Sequence, residues 1–150
     1  MKKKASNKKH YSIQEANAAL PLVRAIVADI VALAAEMREH YASIEQVPRN
    51  DAGEFLTPDA DVADGALQAL RDGNEKMKEY VRELGKLGIE LKDFHIGLVD
   101  FRAMLEGREV YLCWKLGEPE VAYWHELNSG YSGRQRLVRI NAPALAKGGK

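Results

Sequence analysis

Residues 87–137, LGIELKDFHIGLVDFRAMLEGREVYLCWKLGEPEVAYWHELNSGYSGRQRL, carry both tryptophans, the only cysteine and most of the aromatic residues of the chain. From Gly88 onward the apolar period is two, the signature of strands that bury one face. Ile89 to Leu91, Gly97 to Phe101, Val110 to Leu116 and Val121 to Glu126 are β-branched or aromatic runs separated by turn residues. They predict a small antiparallel meander of three or four strands. With Glu118-Pro119 at the last turn, Leu116 would pair with Val121 and Leu112 with His125. Alternation then puts Leu112, Trp114, Leu116, Val121, Tyr123 and His125 on one face, the more apolar one, and Tyr111, Cys113, Lys115, Ala122, Trp124 and Glu126 on the other.

The preceding residues read as the helical support for that sheet. Ser12-Ile13-Gln14-Glu15 matches a capping box, in which hydroxyl and carboxylate each accept a bond from an otherwise orphaned backbone N–H. Because Pro21 lacks an N–H, a break is expected near Asn17 to Leu20, followed by a helix to about Gln46. Leu20, Val23, Val27, Ile30, Ala34, Met37, Tyr41 and Ile44 alternate steps of three and four, the spacing of a seam that faces a partner helix. Pro21 to Gln46 would measure roughly 39 Å at the helical rise. After a loop at 47–57, Thr57-Pro58 reads as a cap with proline at the first helical position. Ala63, Leu67, Leu70, Asn74, Met77, Val81 and Leu84 then continue the spacing to Gly85, with Asn74 placed on the seam as a register-setting polar residue. A second apolar stripe, Leu22, Ile26 and Leu33, needs cover from the C-terminal segment or from another subunit.

The expected architecture is therefore α+β: a long antiparallel, coiled-coil-like helical hairpin followed by a small antiparallel β-meander. Residues 1–10 form a basic tail, 11–140 one domain (hairpin 11–86, meander and loop 87–140), and 141–150 a frayed end. At 150 residues the chain suits one domain with a real core, and 46% hydrophobic with 29% charged residues is ordinary globular composition.

The C-terminal signature resembles that of a bacterial family of unknown function, DUF2203. The matching residues are Gly97-Leu98-Val99-Asp100-Phe101, Gly107-Arg108, Leu112-Cys113-Trp114-Lys115-Leu116-Gly117-Glu118-Pro119-Glu120, Trp124-His125-Glu126 and Gly130-Tyr131-Ser132-Gly133-Arg134. Tyr11-Ser12, Ala16-Asn17 and Leu20-Pro21 extend the likeness into the N-terminal half. Where the family pattern often has proline after Phe101, this chain has Arg102. The resemblance implies a fold family and a bacterial source, and no activity.

The chain has 22 basic and 22 acidic residues, but five of the lysines lie in residues 1–10, which leaves 17 against 22, a net of −5, for the body. An acidic body argues against nucleic acid as the main partner. No stretch of roughly 18 uninterrupted apolar residues is present, so no membrane association is expected. The lysine run has no apolar segment after it and is not a secretory signal. One cysteine makes no internal disulfide, which fits the cytoplasm.

The ionisable residues of the sheet carry whatever chemistry there is. Asp100, His125 and Glu126 form the sharpest constellation, with Cys113 and Glu118 near in sequence. If the loop 103–109 pairs Asp100 opposite Leu112, Asp100 and His125 lie on one face one strand either side of it, backbones roughly 10 Å apart. They could serve as an acid–base pair, His125 with Asp100 or Glu126, or ligate a divalent metal through His125 and Asp100. The plainer reading is a part-buried histidine held by a carboxylate. Cys113 falls on the other face in this register and reads as a structural thiol. Residues 130–136 could cradle an anion with Arg134, while Glu118 and Arg108 are further ligand-binding candidates; the loop lacks a P-loop ending. Two functional readings follow. One is a cytoplasmic binding module that forms a homo-oligomer through its helices and has a polar pocket at Asp100, His125, Glu126 and Arg134. The other is a small metal-dependent or acid–base enzyme using Asp100 and His125.

Overall fold

The computed structural model describes residues 9–56 and 59–137. At Ser12 both bonds of the capping box form: the hydroxyl accepts from the Glu15 backbone N–H at 3.0 Å, and the Glu15 carboxylate accepts from the Ser12 N–H at 3.0 Å. Helix α1 then runs unbroken over Ile13–Glu45, about 50 Å at the helical rise. The break expected before Pro21 is absent. An internal proline costs about 3 kcal/mol, but Pro21 is exposed while Ala16, Leu20, Val23 and Val27 on either side of it are buried and hold the helix to its neighbours. α1 is also long and apolar enough to cross a membrane by length and composition. The expectation from uninterrupted apolar runs missed this because Arg24 and Asp29, the only charges between Glu15 and Glu36, split the run without making it polar. A third of that apolar window is buried within the protein.

Helix α2 (Ala60–Lys86) returns beside α1. Its predicted cap, Thr57-Pro58, lies outside the described residues. The pair is antiparallel, since Tyr11 at the start of α1 donates its hydroxyl to the Leu87 carbonyl at the end of α2, 2.5 Å, while Ile44 near the end of α1 clusters with Ala66 near the start of α2. The seam differs from the predicted one. Asn74 is exposed and Gly73 is buried, with Met37 packed so close that a Cβ on Gly73 would lie 2.9 Å from its sulfur. Tyr41 and Val81, also placed on the seam, are exposed. Of the second stripe on α1, Ile26 is buried and Leu33 half-buried, whereas Leu22 remains 54% exposed.

Five strands follow in the order β1-β2-β3-β4-β5: Ile89–Asp93, Leu98–Leu105, Arg108–Lys115, Tyr123–Glu126 and Gln135–Arg136, all antiparallel. β5, after a short 3-10 turn at Tyr131–Gly133, was expected to be loop. The sheet lies at one end of the hairpin, against the first half of α1 and the end of α2. At the turn between β1 and β2, Gly97 (φ 74) presses on α1 so closely that a Cβ would lie 2.7 Å from Val27 Cγ1.

Both predicted registers are one residue off. Glu106 and Gly107, with φ 50 and 82, make a two-residue turn that pairs Leu105 with Arg108, so Asp100 lies opposite Cys113 and Phe101 opposite Leu112. The Glu118-Pro119 turn does not form as a tight hairpin. Residues 116–122 make a longer connection anchored to α1, where Asn17 Oδ1 accepts from the Val121 N–H at 2.7 Å, and Leu112 pairs with Trp124 rather than His125. Ile89, Phe101, Leu112 and Trp124 therefore form one row across four strands, buried toward the helices together with Val99, Ala103, Val110 and Trp114. Trp124 is in the core, and Tyr123 and His125 are on the outer face, the reverse of the predicted assignment.

Lys9 and His10 already touch the body, Lys9 over the Tyr11 ring and His10 bonded to Glu109 at 2.7 Å. The rest of the basic tail and the predicted frayed end lie outside the described residues.

Candidate functional site

Two polar rows cross the outer face of the sheet: Glu90, Asp100, Cys113, Tyr123 and Arg136 in one, Arg102, Tyr111 and His125 in the next. At their junction Asp100, Cys113 and His125 meet, each at most 2% exposed. His125 Nε2 lies 3.1 Å from both carboxylate oxygens of Asp100. Its Nδ1 is 2.7 Å from the backbone carbonyl of Glu126, which can only accept, so Nδ1 carries a proton. The Nε2 lone pair of a neutral ring would then face a carboxylate. The contact is satisfied when one positive species, a proton or a cation, sits between them.

Burial raises the Asp100 carboxyl above the ordinary aspartate value, against the opposing pull of His125. Burial, with the Asp100 charge beside it, pushes the Cys113 thiol up to about 12. In this state Cys113 is a protonated thiol.

Above these groups opens a cleft of about 290 Å³, rimmed by Lys92, Leu98, Tyr111, Leu127 and Tyr131. Tyr111 stacks obliquely on His125, ring centres 5.4 Å apart, and donates its hydroxyl to Glu90 at 3.0 Å. Glu90 also accepts from Lys92 (3.0 Å) and Arg102 (3.2 Å). Its burial alone would raise its pKa; the bonds from Lys92 and Tyr111 outweigh that and hold it below the usual glutamate value.

On the far side of Cys113, Arg134 donates to both Glu118 carboxylate oxygens at 2.8 Å and is sandwiched by Tyr123 and Tyr131, 3.8 and 4.9 Å from their ring centres. Its Nε is buried without an acceptor among the described residues. The guanidinium is close enough to Cys113 to lower the thiol's pKa against the stronger effect of burial.

The structure thus brings together Asp100 and His125 and adds Cys113, which the predicted register had turned away. Glu126 contributes only its backbone carbonyl, because its carboxylate bonds Arg108 at 2.6 Å on the exposed edge. Arg108 is therefore outside the cleft. Arg134 and Glu118 flank the site but are paired with each other, so the glycine-rich loop offers no unpaired Arg134 for an anion. Tyr111, Lys92 and Tyr131 were missed. For Tyr111 the parity with Asp100 is legible once the two-residue turn at Glu106-Gly107 is recognised; Lys92 lies at an irregularity of β1 and Tyr131 in a 3-10 turn, where alternation gives no signal.

Residues 9–137 match the model of a family described as uncharacterized conserved protein (DUF2203). No curated protein and no solved structure matches the chain.

Proposed function

Since the chain belongs to the DUF2203 family of uncharacterised conserved proteins, we propose from the site alone that it binds a small polar molecule in the cleft on the outer face of the sheet. Asp100 and His125 form the floor and exchange a hydrogen bond or a proton with the bound molecule. One observation carries this reading: two ionisable side chains, each 2% exposed, bonded to one another beneath an open cleft. Stability is a weak reason to keep such a pair, because apolar residues of similar volume often serve a buried position as well or better. Perturbed ionisable groups beneath a cleft are the usual mark of a working site. Lys92, although bonded to Glu90 at 3.0 Å, keeps two further N–H donors at the rim and with Tyr131 favours a ligand bearing a carboxylate or phosphate.

The test is a nuclear magnetic resonance titration of metal-stripped protein with acetate, inorganic phosphate and small amino acids. Shifts confined to Lys92, Asp100, Tyr111, His125 and Tyr131, and lost in Asp100→Asn, are expected. Shifts that map elsewhere, or that persist in Asp100→Asn, overturn the reading.

A second reading, self-association through the hairpin, is favoured by a groove of about 400 Å³ between the helices lined by Met37, Tyr41, Met77 and Phe94, and by exposed Val62 and Val81 on α2. Light scattering across micromolar concentrations should show a dimer or larger species; a monomer throughout sinks it. A cytoplasmic setting belongs to the same proposal, supported by the buried, unpaired Cys113.

A further inference from the structure

We infer that Asp100, Cys113 and His125 form a binding site for one divalent cation of the zinc class at the floor of the cleft. The inference rests on the reading above in taking the cleft as the working site, and it adds what the floor holds.

One donor atom from each residue lies within 4.8 Å of the other two. Zinc bonded to nitrogen, oxygen and sulfur at about 2.0–2.3 Å places tetrahedral ligand atoms roughly 3.3–3.8 Å apart. The 3.1 Å gap from Nε2 to the carboxylate is already near that spacing, so the sulfur has to close by at most about 1 Å, within the reach of a side-chain adjustment. The three residues sit on adjacent strands β2, β3 and β4, in the middle of the sheet, where the backbone is held from both sides.

Three further observations point the same way. First, the Nδ1 proton of His125 is held by the Glu126 carbonyl at 2.7 Å, which turns the Nε2 lone pair on the carboxylate; metal-binding histidines are commonly oriented by such a bond. Second, Arg134 carries a buried Nε without an acceptor among the described residues and is close enough to Cys113 for its positive charge to favour a thiolate there. Third, a carboxylate, a thiolate and a neutral imidazole around a divalent cation sum to zero, and a buried site tolerates that far better than a net charge.

The donor set selects the metal. Sulfur and imidazole suit zinc and its neighbours, whereas calcium and magnesium require shells made of oxygen. Three protein ligands leave a fourth position facing the cleft, the arrangement of a site that also binds a small molecule.

Cobalt(II) is the direct probe, because the chain has a single cysteine and any sulfur-to-cobalt charge-transfer band in the untagged, chelator-stripped wild type must come from Cys113. One equivalent of Co2+ per chain should give that near-ultraviolet band together with the intense visible bands of tetrahedral cobalt, and one equivalent of Zn2+ should abolish both. Cys113→Ser should lose the charge-transfer band and bind at least about tenfold more weakly, while Glu126→Gln should behave as wild type; circular dichroism checks the fold of each. No charge-transfer band in wild type at micromolar Co2+, or unchanged spectra in Cys113→Ser, overturns the inference. The titration with acetate and phosphate is run without metal, so a missing cobalt band leaves the ligand-binding reading standing, and a missing ligand response leaves the cation site standing.

Discussion

Strand β3 shows Val110, Leu112 and Trp114 to the helices and Tyr111 and Cys113 to the outer face, with Asp100 and His125 beside them on the neighbouring strands. Both sets are buried. The inner set is buried by other apolar side chains and needs only to fit. The outer set is polar, so each group must find a partner: His125 takes Asp100 and the Glu126 carbonyl, and Tyr111 takes Glu90. The two faces therefore respond differently to mutation. On the inner face the loss should scale with the volume removed, and on the outer face with whether a partner is left unpaired.

The largest effect is expected on the inner face. Trp114 is fully buried and its indole N–H bonds the Glu118 carbonyl at 3.0 Å. Trp114→Ala should cost about 3–5 kcal/mol in urea unfolding. A loss under 1 kcal/mol would mean that the sheet's grip on the helices comes from elsewhere. Next is a pair of variants on the outer face. Asp100→Ala leaves His125 buried without its carboxylate and should cost about 3 kcal/mol, whereas the double substitution Asp100→Leu with His125→Leu should be near neutral or stabilising. If the double variant is less stable than the single one, the pair is structural after all and the proposed site loses its main support. Smaller again, Gly97→Ala should cost about 1–3 kcal/mol, because the new Cβ meets Val27 at a positive φ that alanine disfavours.

The same contrast decides how much the sequence revealed. The inner face was readable in kind, since Val99, Phe101, Leu112 and Trp114 announce burial by their type and spacing, and the capping box at Ser12 fixes the start of α1. The fold class and the order of its elements followed from these. Register did not follow, because it depends on turns whose residues are weak signals. Glu106-Gly107 adopts two left-handed conformations without the usual asparagine, and residues 116–122 are held by Asn17, distant in sequence. Asp100 and His125 nevertheless came out on one face, because the two one-residue shifts add to two between β2 and β4, a whole side-chain period. β3 itself was placed correctly, with Leu112 and Trp114 inward and Tyr111 and Cys113 outward, but each neighbouring strand was turned over relative to it, so Asp100 and His125 were given to the apolar face and separated from Cys113. Similarly Gly73 rather than Asn74 sits on the helical seam, because the bulk of Met37 needs a residue without a side chain opposite it.

The effect whose slope vanishes at neutral pH concerns Cys113, which distinguishes the faces by pH. Burial and the Asp100 charge raise its thiol from 9.0 to about 12. The folded protein thus holds this proton more tightly than the unfolded chain. That contribution to stability is fully present below pH 9 and is lost as the pH rises through about 12. In metal-stripped protein, unfolding free energy should therefore fall across this alkaline window, and Cys113→Ala should flatten that part of the curve while leaving its slope near neutrality unchanged. The thiol should also resist a disulfide reagent at pH 8 until the protein unfolds, because the reactive thiolate is scarce. Rapid labelling of the native protein at pH 8 would show that the outer face opens to solvent, placing Cys113 with the cleft's accessible rim rather than its floor.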